Sequence, residues 1–290
     1  MVPQPPTPHS LKPLNRSRGW DLLAKGATIC LGVAVILGLA YQSSLVREGV
    51  ARSLGGCGPR AVPRLLWMMQ DSDPHVGVTA TAALVEIGPG AVPPLIVALH
   101  HPDPRMRMEA ARALGDREIR GTRGREAVED LLPLLNEADP PMRITVIRTL
   151  TNLGSDAQAA VPALQARHTD SIPTVRRDAL LALLAIAGKV DLVKTAFIQS
   201  LDDPDVEVRL TSCSRLSEWP MNDPLVVQAL VRSLSDSDTD VRGEAAEGLA
   251  NAACEIESVI AALRIATQDA HPRVRREAEE ALTRLEKMPD

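Results

Sequence analysis

The chain has 290 residues, of which 45% are hydrophobic and only 2% aromatic, so its core must be built from aliphatic side chains that suit packed helices. So few aromatic residues argue against a β-sandwich. The formal net charge is −5 and the acidic residues concentrate beyond residue 60, which argues against a nucleic-acid backbone as ligand. Four scattered cysteines without a CxxC pair argue against a zinc ribbon or a disulfide framework.

The N-terminal head differs in composition from the rest of the chain. Residues 1–19 are rich in proline and polar side chains, which predicts a disordered tail. The uncharged run Gly26–Tyr41 and the leucines before it give an apolar stretch of about twenty residues, enough to cross a bilayer core of ~30 Å. We therefore predict a transmembrane or signal-anchor helix over residues 20–42, and a capping helix with a linker over residues 43–59.

Positive charges before the apolar run determine its expected orientation. Lys12, Arg16, Arg18 and Lys25 precede or open the run, a bias that keeps the N-terminus in the cytoplasm. The predicted location is therefore a single-pass membrane protein with its body on the extracytoplasmic side. A signal peptide cleaved near Ala40 would give the same orientation and release the body, and a buried soluble helix is a further alternative.

The rest of the chain repeats one pattern seven times. Segments such as PTVRRDALLALLAIAG and TDVRGEAAEGLANAA superimpose without gaps, and most copies share an arginine, a small residue three places later and a leucine seven places later. This spacing places one apolar face on a helix, which we call the B helix. A shorter helix A precedes each B helix, and an acidic turn joins the two. The arginine column consists of Gly77, Arg107, Arg143, Arg176, Arg209, Arg242 and Arg275.

A single hairpin cannot cover its own apolar face, so the units must stack. We therefore predict an all-α fold, a right-handed α-solenoid of about seven helical hairpins over residues 60–288. The segment SSLVREGVARSLG keeps the offsets of a B helix and should cap the first hairpin. The predicted hairpins cover residues 61–90, 91–126, 127–158, 159–190, 191–224, 225–256 and 257–288.

The pattern DxD..VR..A...L resembles the short HEAT repeats of the phycobilisome-lyase type over about residues 60–287. Tetratricopeptide and ankyrin repeats have a similar period, but their Trp/Leu-Gly/Tyr and Thr-Pro-Leu-His patterns are absent. The resemblance implies a solenoid of stacked hairpins. It also implies an alternative function, that of an accessory enzyme or lyase-like subunit acting in complex with another protein.

The arginine column and an acidic column six places before it favour a structural ladder. A residue that recurs in every unit serves what every unit needs, so we expect each arginine to bind carboxylates and carbonyl oxygens of adjacent turns. Short carboxylates should also cap the B helices. A stripe that grips a ligand is the alternative. The predicted ladder comprises Arg107, Arg143, Arg176, Arg209, Arg242, Arg275, Asp103, Asp139, Asp203 and Asp236, and Gly77 and His101 are exceptions in the two columns.

Positions that vary between repeats are the candidates for partner binding. They lie one, two or five places after the arginine on the B helices, which should line the concave face of the solenoid. The candidates are Met108, Arg112, Arg148, Arg177, Glu244, Glu247, Arg276 and Glu280. The longer connection Gly115 to Glu126 adds a basic patch with Arg117, Arg120 and Arg123, interpreted either as a solvated loop or as a contact for an acidic partner. Trp67 and Trp219 are expected in the aliphatic core, although an exposed tryptophan would be a plausible binding anchor.

Motifs that carry chemistry are absent from the sequence. There is no HExxH, HxxxH or GxSxG motif, no phosphate-binding glycine loop, and no His-Glu pair of the kind that binds di-iron in the HEAT-type enzyme deoxyhypusine hydroxylase. We therefore predict no catalytic, cofactor or metal site. The sequence predicts a membrane-tethered scaffold that binds a protein partner on its concave face, without nucleic acid and without catalysis. An intracellular assembly factor is a third option, which requires the apolar run to be a soluble helix.

Overall fold

The computed structural model describes residues 43–116, 119 and 124–287, and the predicted tail and membrane helix lie outside these residues. The described residues form helices and turns without a β-strand. Odd-numbered helices below are B helices and even-numbered helices are A helices. In chain order they are α1 (Ser44–Gly55), α2 (Val62–Met68), α3 (Pro74–Ile87), α4 (Val92–Ala98), α5 (Pro104–Leu114), α6 (Val128–Leu131), α7 (Pro140–Leu153), α8 (Val161–Arg167), α9 (Pro173–Ala187), α10 (Asp191–Ser200), α11 (Val206–Ser217), α12 (Pro224–Ser233), α13 (Thr239–Leu249), α14 (Ile256–Ala266) and α15 (Pro272–Leu285).

Short 3₁₀ segments complete the first four hairpins. They lead into the A helices α2, α4, α6 and α8, and one of them extends the short helix α6. Their tighter winding suits connections of only a few residues. The segments are Gly58–Ala61, Gly88–Ala91, Gly124–Ala127, Leu132–Asn136 and Gly154–Ala160.

Aspartate and proline together begin several B helices. The Asp103 carboxylate accepts a hydrogen bond from the Arg105 N–H at 2.9 Å, which satisfies a donor that the first helical turn leaves open. Pro104 stands at the first helical position, where its missing N–H costs nothing. Asp139 departs from the expected role because its side chain makes no such cap bond. The residue that should donate to it is Pro141, which has no N–H.

Small residues allow the B helices to approach one another closely. The position three places after the arginine column is fully buried in all seven hairpins, and the leucine position is fully or almost fully buried in the first six. Leu282 in the last hairpin is only partly buried, because no described hairpin packs over it. The buried small positions are Ala80, Ala110, Val146, Ala179, Ser212, Ala245 and Ala278.

Consecutive hairpins stack in chain order. Each B helix from α1 to α15 packs against the next B helix, and each A helix packs against the B helix of its own hairpin, except that in the third hairpin the 3₁₀ segment Leu132–Asn136 makes this contact in place of α6. Neighbouring A helices also touch, as α10 does with α12 and α12 with α14. These contacts confirm the predicted all-α solenoid of seven hairpins.

Helix α1 is a B helix that covers the first hairpin, and the described residues include no A helix before it. It packs along α3, and its Ala51 and Gly55 are buried. Arg47 on α1 binds Asp71 in the turn of the first hairpin, with Nε 2.6 Å from Oδ2. The arginine ladder therefore begins one helix before the first complete hairpin.

One helical stretch in the described part of the chain is long and apolar enough to cross a membrane by length and composition. It is Pro74–Ala98, which has 25 residues and contains an 18-residue window with a mean hydropathy of 1.5. The stretch bends at Gly88, where φ is 76°, a conformation that favours glycine. Its side chains Val76, Leu84 and Leu95 are completely buried among neighbouring hairpins, as expected of core helices in a solenoid.

Candidate interaction surface

A ladder of ion pairs runs across the A–B turns. In each rung an arginine on one B helix binds a carboxylate in the turn of the next hairpin. Planar guanidinium groups suit this task, because two parallel N–H donors match the two carboxylate oxygens. The rungs, with their shortest N···O distances, are Arg47–Asp71 (2.6 Å), Arg107–Glu137 (2.8 Å), Arg143–Asp170 (3.0 Å), Arg176–Asp203 (2.6 Å), Arg209–Asp236 (2.8 Å) and Arg242–Asp269 (2.8 Å).

From Arg107 onwards, each ladder arginine also binds its own turn. Arg209 Nη1 donates to the carbonyl oxygens of Asp203 at 3.0 Å and Pro204 at 3.3 Å. The Asp203 carboxylate in turn accepts the Asp205 N–H at 2.9 Å. Most donors and acceptors of a rung are thus used internally, which leaves this column little capacity to bind a ligand; Arg143 Nε, which is buried without a hydrogen-bond partner, is an exception. Arg275 in the last hairpin donates to Asp269 O at 2.7 Å and Ala270 O at 2.9 Å.

The central rung keeps both of its partners charged. Burial raises the pKa of Asp203, but the hydrogen bonds from Arg176 and from the Asp205 N–H outweigh it and hold that pKa below its usual range. The hydrogen bond with Asp203 raises the pKa of Arg176. The Arg176–Asp203 rung is therefore an ion pair rather than a neutral contact at ordinary pH.

The exceptions at Gly77 and His101 belong to one missing rung. In the register of the ladder, the residue at position 77 would bind the residue at position 101. His101 replaces the missing carboxylate within its own turn, because its Nδ1 accepts the Asp103 N–H at 3.1 Å. Asp103 itself caps α5 and binds no arginine side chain among the described residues. The acid of the second complete rung is Glu137, not Asp139.

A groove on the B-helix face lies across α9, α11, α13 and α15, and has a volume of about 580 Å³. Two of the candidate partner-binding residues, Arg177 and Glu244, line it. Their neighbours carry both signs of charge: Asp240 binds Arg273 at 2.5 Å, and these two residues also line the groove. A surface of alternating charge can align a partner of complementary pattern.

Some of the remaining candidates hold charged partners on the same face. Arg148 Nε lies 3.0 Å from Asp178 Oδ2, and Arg112 binds Glu109 at 2.6 Å. Arg276 binds Glu277 at 2.6 Å. In each pair the arginine is more than half exposed whereas its acid is largely buried, so the guanidinium groups are accessible to a partner protein.

Of the three remaining partner-binding candidates, two line cavities or grooves and one is exposed to solvent. Met108 lines a smaller cavity near α3, and Glu280 lines a shallow groove on α15 together with Arg276. Glu247 is exposed. Arg117, Arg120 and Arg123 lie outside the described residues, so the predicted basic patch stays a prediction.

The tryptophans occupy different environments. Trp219 is buried and packs against Phe197, with ring centroids 6.4 Å apart, as the sequence predicts. Trp67 is 53% exposed on α2, and the Arg64 guanidinium lies 4.3 Å from its ring centroid. Val97, one repeat later on α4, is also exposed. The expected core position of Trp67 is therefore wrong, because its side of the short helix α2 faces solvent.

Burial affects the chemistry of two described cysteines. Burial raises the pKa of the Cys213 thiol strongly, which disfavours the nucleophilic thiolate. Partial burial also raises the pKa of the Cys254 thiol. No group of three or more His, Cys, Asp or Glu residues in the described chain is placed to hold a metal ion.

Comparison with known proteins identifies the repeat. The family model for HEAT repeats matches residues 92–185 and 195–283. An engineered protein of known crystal structure is similar over 91% of this chain and 80% of its own, with 23% identity and a TM-score of 0.51. YibA from Escherichia coli is similar over 83% of this chain and 96% of its own, with 17% identity and a TM-score of 0.57. No curated protein matches the chain significantly. Together with the stacked hairpins, the family match shows that the chain belongs to the HEAT-repeat family.

Proposed function

We propose that the chain is a non-catalytic scaffold that holds a partner protein on its B-helix face and is tethered to a membrane by residues 20–42. One contrast carries the proposal. Side chains that recur in every hairpin are engaged in the core or in the ladder, whereas the positions one, two and five places after the ladder arginine vary and include residues that line the groove. HEAT-repeat proteins use extended faces of this kind to bind other proteins.

Charge reversal on the B-helix face tests the proposal. The triple variant Arg177→Glu, Glu244→Arg, Arg276→Glu changes three exposed or groove-lining side chains without touching the ladder. A matched control, Arg232→Glu, Glu257→Arg, Arg264→Glu, makes the same change in net charge on exposed positions of A helices α12 and α14. Full-length protein is used for affinity capture from solubilised membranes, with the fold checked by circular dichroism.

The expected result is loss of the captured partner for the B-helix variant and retention for the control. Rim charges act mainly on association rate, so capture should also weaken as salt rises. Equal capture by both variants would refute a binding role for this face. Bilin-transfer activity of the purified chain would instead support the lyase-like alternative that the sequence resemblance implies.

The membrane tether and its orientation are tested separately. The positive charges before the apolar run favour an extracytoplasmic body, so a periplasmic reporter fused after residue 60 should be active. An inactive reporter would support the intracellular alternative. Mass spectrometry of the mature N-terminus distinguishes a retained anchor from cleavage near Ala40.

A further inference from the structure

The missing rung leaves a gap between the first and second hairpins. Gly77 has no side chain to reach across, and His101 offers no carboxylate. The turn of the second hairpin is nevertheless formed, because His101 Nδ1 accepts the Asp103 N–H. The gap therefore removes a side chain from the ladder without disturbing the backbone that surrounds it.

Two carbonyl oxygens in the first turn lack the donor that other rungs supply. In the second hairpin Arg107 Nη1 donates to His101 O at 2.9 Å and to Pro102 O at 3.0 Å. The equivalent oxygens beside Gly77 belong to Asp71 and Ser72. Within the described residues no side chain donates to either of them. The carbonyl oxygens of Asp71 and Ser72 thus lack the side-chain donor that a guanidinium group supplies to the equivalent pair of oxygens in the second hairpin.

A cavity of about 250 Å³ occupies the place of the missing side chain. Met69, Val78 and Met108 form apolar walls around Gly77, and these walls suit the aliphatic stem of a long side chain. Val78 is 53% exposed, so the cavity opens towards solvent on the B-helix face. Glu109 also lines the cavity.

The charged groups around the cavity favour a cation. The Asp71 carboxylate is already held by Arg47 at 2.6 Å. Glu109 is bound at one oxygen by Arg112 at 2.6 Å, while its other oxygen has only a 3.4 Å contact with a threonine hydroxyl. Arg105 is the like-charged group in the lining. An entering cation would therefore face one partly available carboxylate and two open carbonyl oxygens.

We infer that this cavity, the Gly77 socket, receives an arginine side chain of the partner protein. The inference deepens the proposed function and rests on it for the source of the arginine. The guest would restore the missing rung in trans: its stem would pack on Met69 and Met108, and its guanidinium would donate to Asp71 O and Ser72 O. A lysine has no planar fork to bridge both oxygens, and the neutral ureido group of citrulline lacks the charge.

Methionine methyl groups report on the socket directly. The full chain, labelled with ¹³C at its methionine methyl groups and held in detergent micelles, is titrated with N-acetyl-arginine methylamide. The Met69 and Met108 signals should shift saturably, whereas those of the remote Met142 and Met221 should stay in place. The citrulline analogue, which has nearly the same shape, should leave all four signals unchanged.

Two variants make the test specific. Gly77→Arg should fill the socket with its own side chain and abolish the response, although its new Cβ would lie 3.1 Å from Met69 O and require a small shift. Glu109→Gln keeps the packing and should weaken binding about tenfold, the size expected for one charge-assisted hydrogen bond. Both variants are checked for an unchanged fold by circular dichroism.

The outcomes separate this inference from the proposed function. The absence of shifts at Met69 and Met108, equal shifts with citrulline, or an unchanged response in both variants would overturn the socket. None of these results would affect partner capture through Arg177 and Glu244. Conversely, saturable arginine binding in a protein whose B-helix variant still captures the partner would contradict only the proposed docking face.

Discussion

Replacing Arg176 by alanine removes a central rung of the ladder and leaves the Asp203 carboxylate without its partner. In the native protein, Arg176 Nε and Nη2 lie 2.7 and 2.6 Å from the two Asp203 oxygens, and Nη1 donates to Asp170 O at 2.8 Å. The side chains are 10% and 7% exposed. Loss of one partner from a buried ion pair lowers the free energy of unfolding by roughly 3–5 kcal/mol. Because this pair lies in a turn near solvent, we expect a loss at the lower end, about 3 kcal/mol.

Arg275→Ala is the matched control, because Arg275 occupies the same position in the last hairpin. Its guanidinium donates to two carbonyl oxygens, and no carboxylate is left unpaired when it is removed. The expected cost is about 1 kcal/mol, typical of neutral hydrogen-bond acceptors near solvent. Urea unfolding of the full chain, followed by circular dichroism, measures the free energy of unfolding of both variants. Equal losses for the two variants would refute the argument that the carboxylate pair dominates the rung.

Three more predictions follow from the same contacts. The folded-state pKa of Asp203 lies below its ordinary value of 3.8, so the rung stabilises the fold above that pH. This stabilisation is lost as pH falls through the lowered pKa. The melting temperature should therefore drop in this acid range, and it should drop less in a variant without Arg176. Restoring the absent rung with Gly77→Arg and His101→Asp should give a favourable coupling of about 1–2 kcal/mol in a double-mutant cycle, and additive effects would show that no rung forms. Asp238→Ala should cost about 1 kcal/mol of unfolding free energy in urea, because Asp238 caps α13, whereas Asp139→Ala should be nearly neutral.

The sequence is sufficient to predict the fold because the same pattern of residues recurs in each hairpin. The small residue and the leucine at fixed distances from the arginine define a helical face, and all seven copies agree. The structure adds the register between hairpins. An arginine pairs with the acid six places before the next arginine, so Gly77 and His101 are one missing rung. Their spacing already contained this information, since the same offset links Arg47 with Asp71.

Other features depend on geometry that the pattern does not carry. Helix α2 has seven residues, fewer than two full turns, so periodicity could not show that Trp67 faces solvent. The missing cap at Asp139 follows from Pro141, a local effect that the column of acids conceals. The groove lined by Arg177 and Glu244 requires residues from four B helices, and their alignment depends on how the hairpins stack.

Recurring positions hold the hairpins together, whereas variable positions on the B-helix face are available to bind a partner, so such a scaffold can change its specificity without changing its fold. Ladder arginines and their carboxylates satisfy one another, so the stacking of hairpins does not depend on the charges that vary on the B-helix face. Exposed pairs such as Arg273 with Asp240 contribute little to stability, and their replacement can change the recognised partner at small cost to the fold. The missing rung is the one place where the two roles meet in the described chain. There, a contact that stabilises every other junction is left open, so partner binding and the stability of the first junction would be thermodynamically linked.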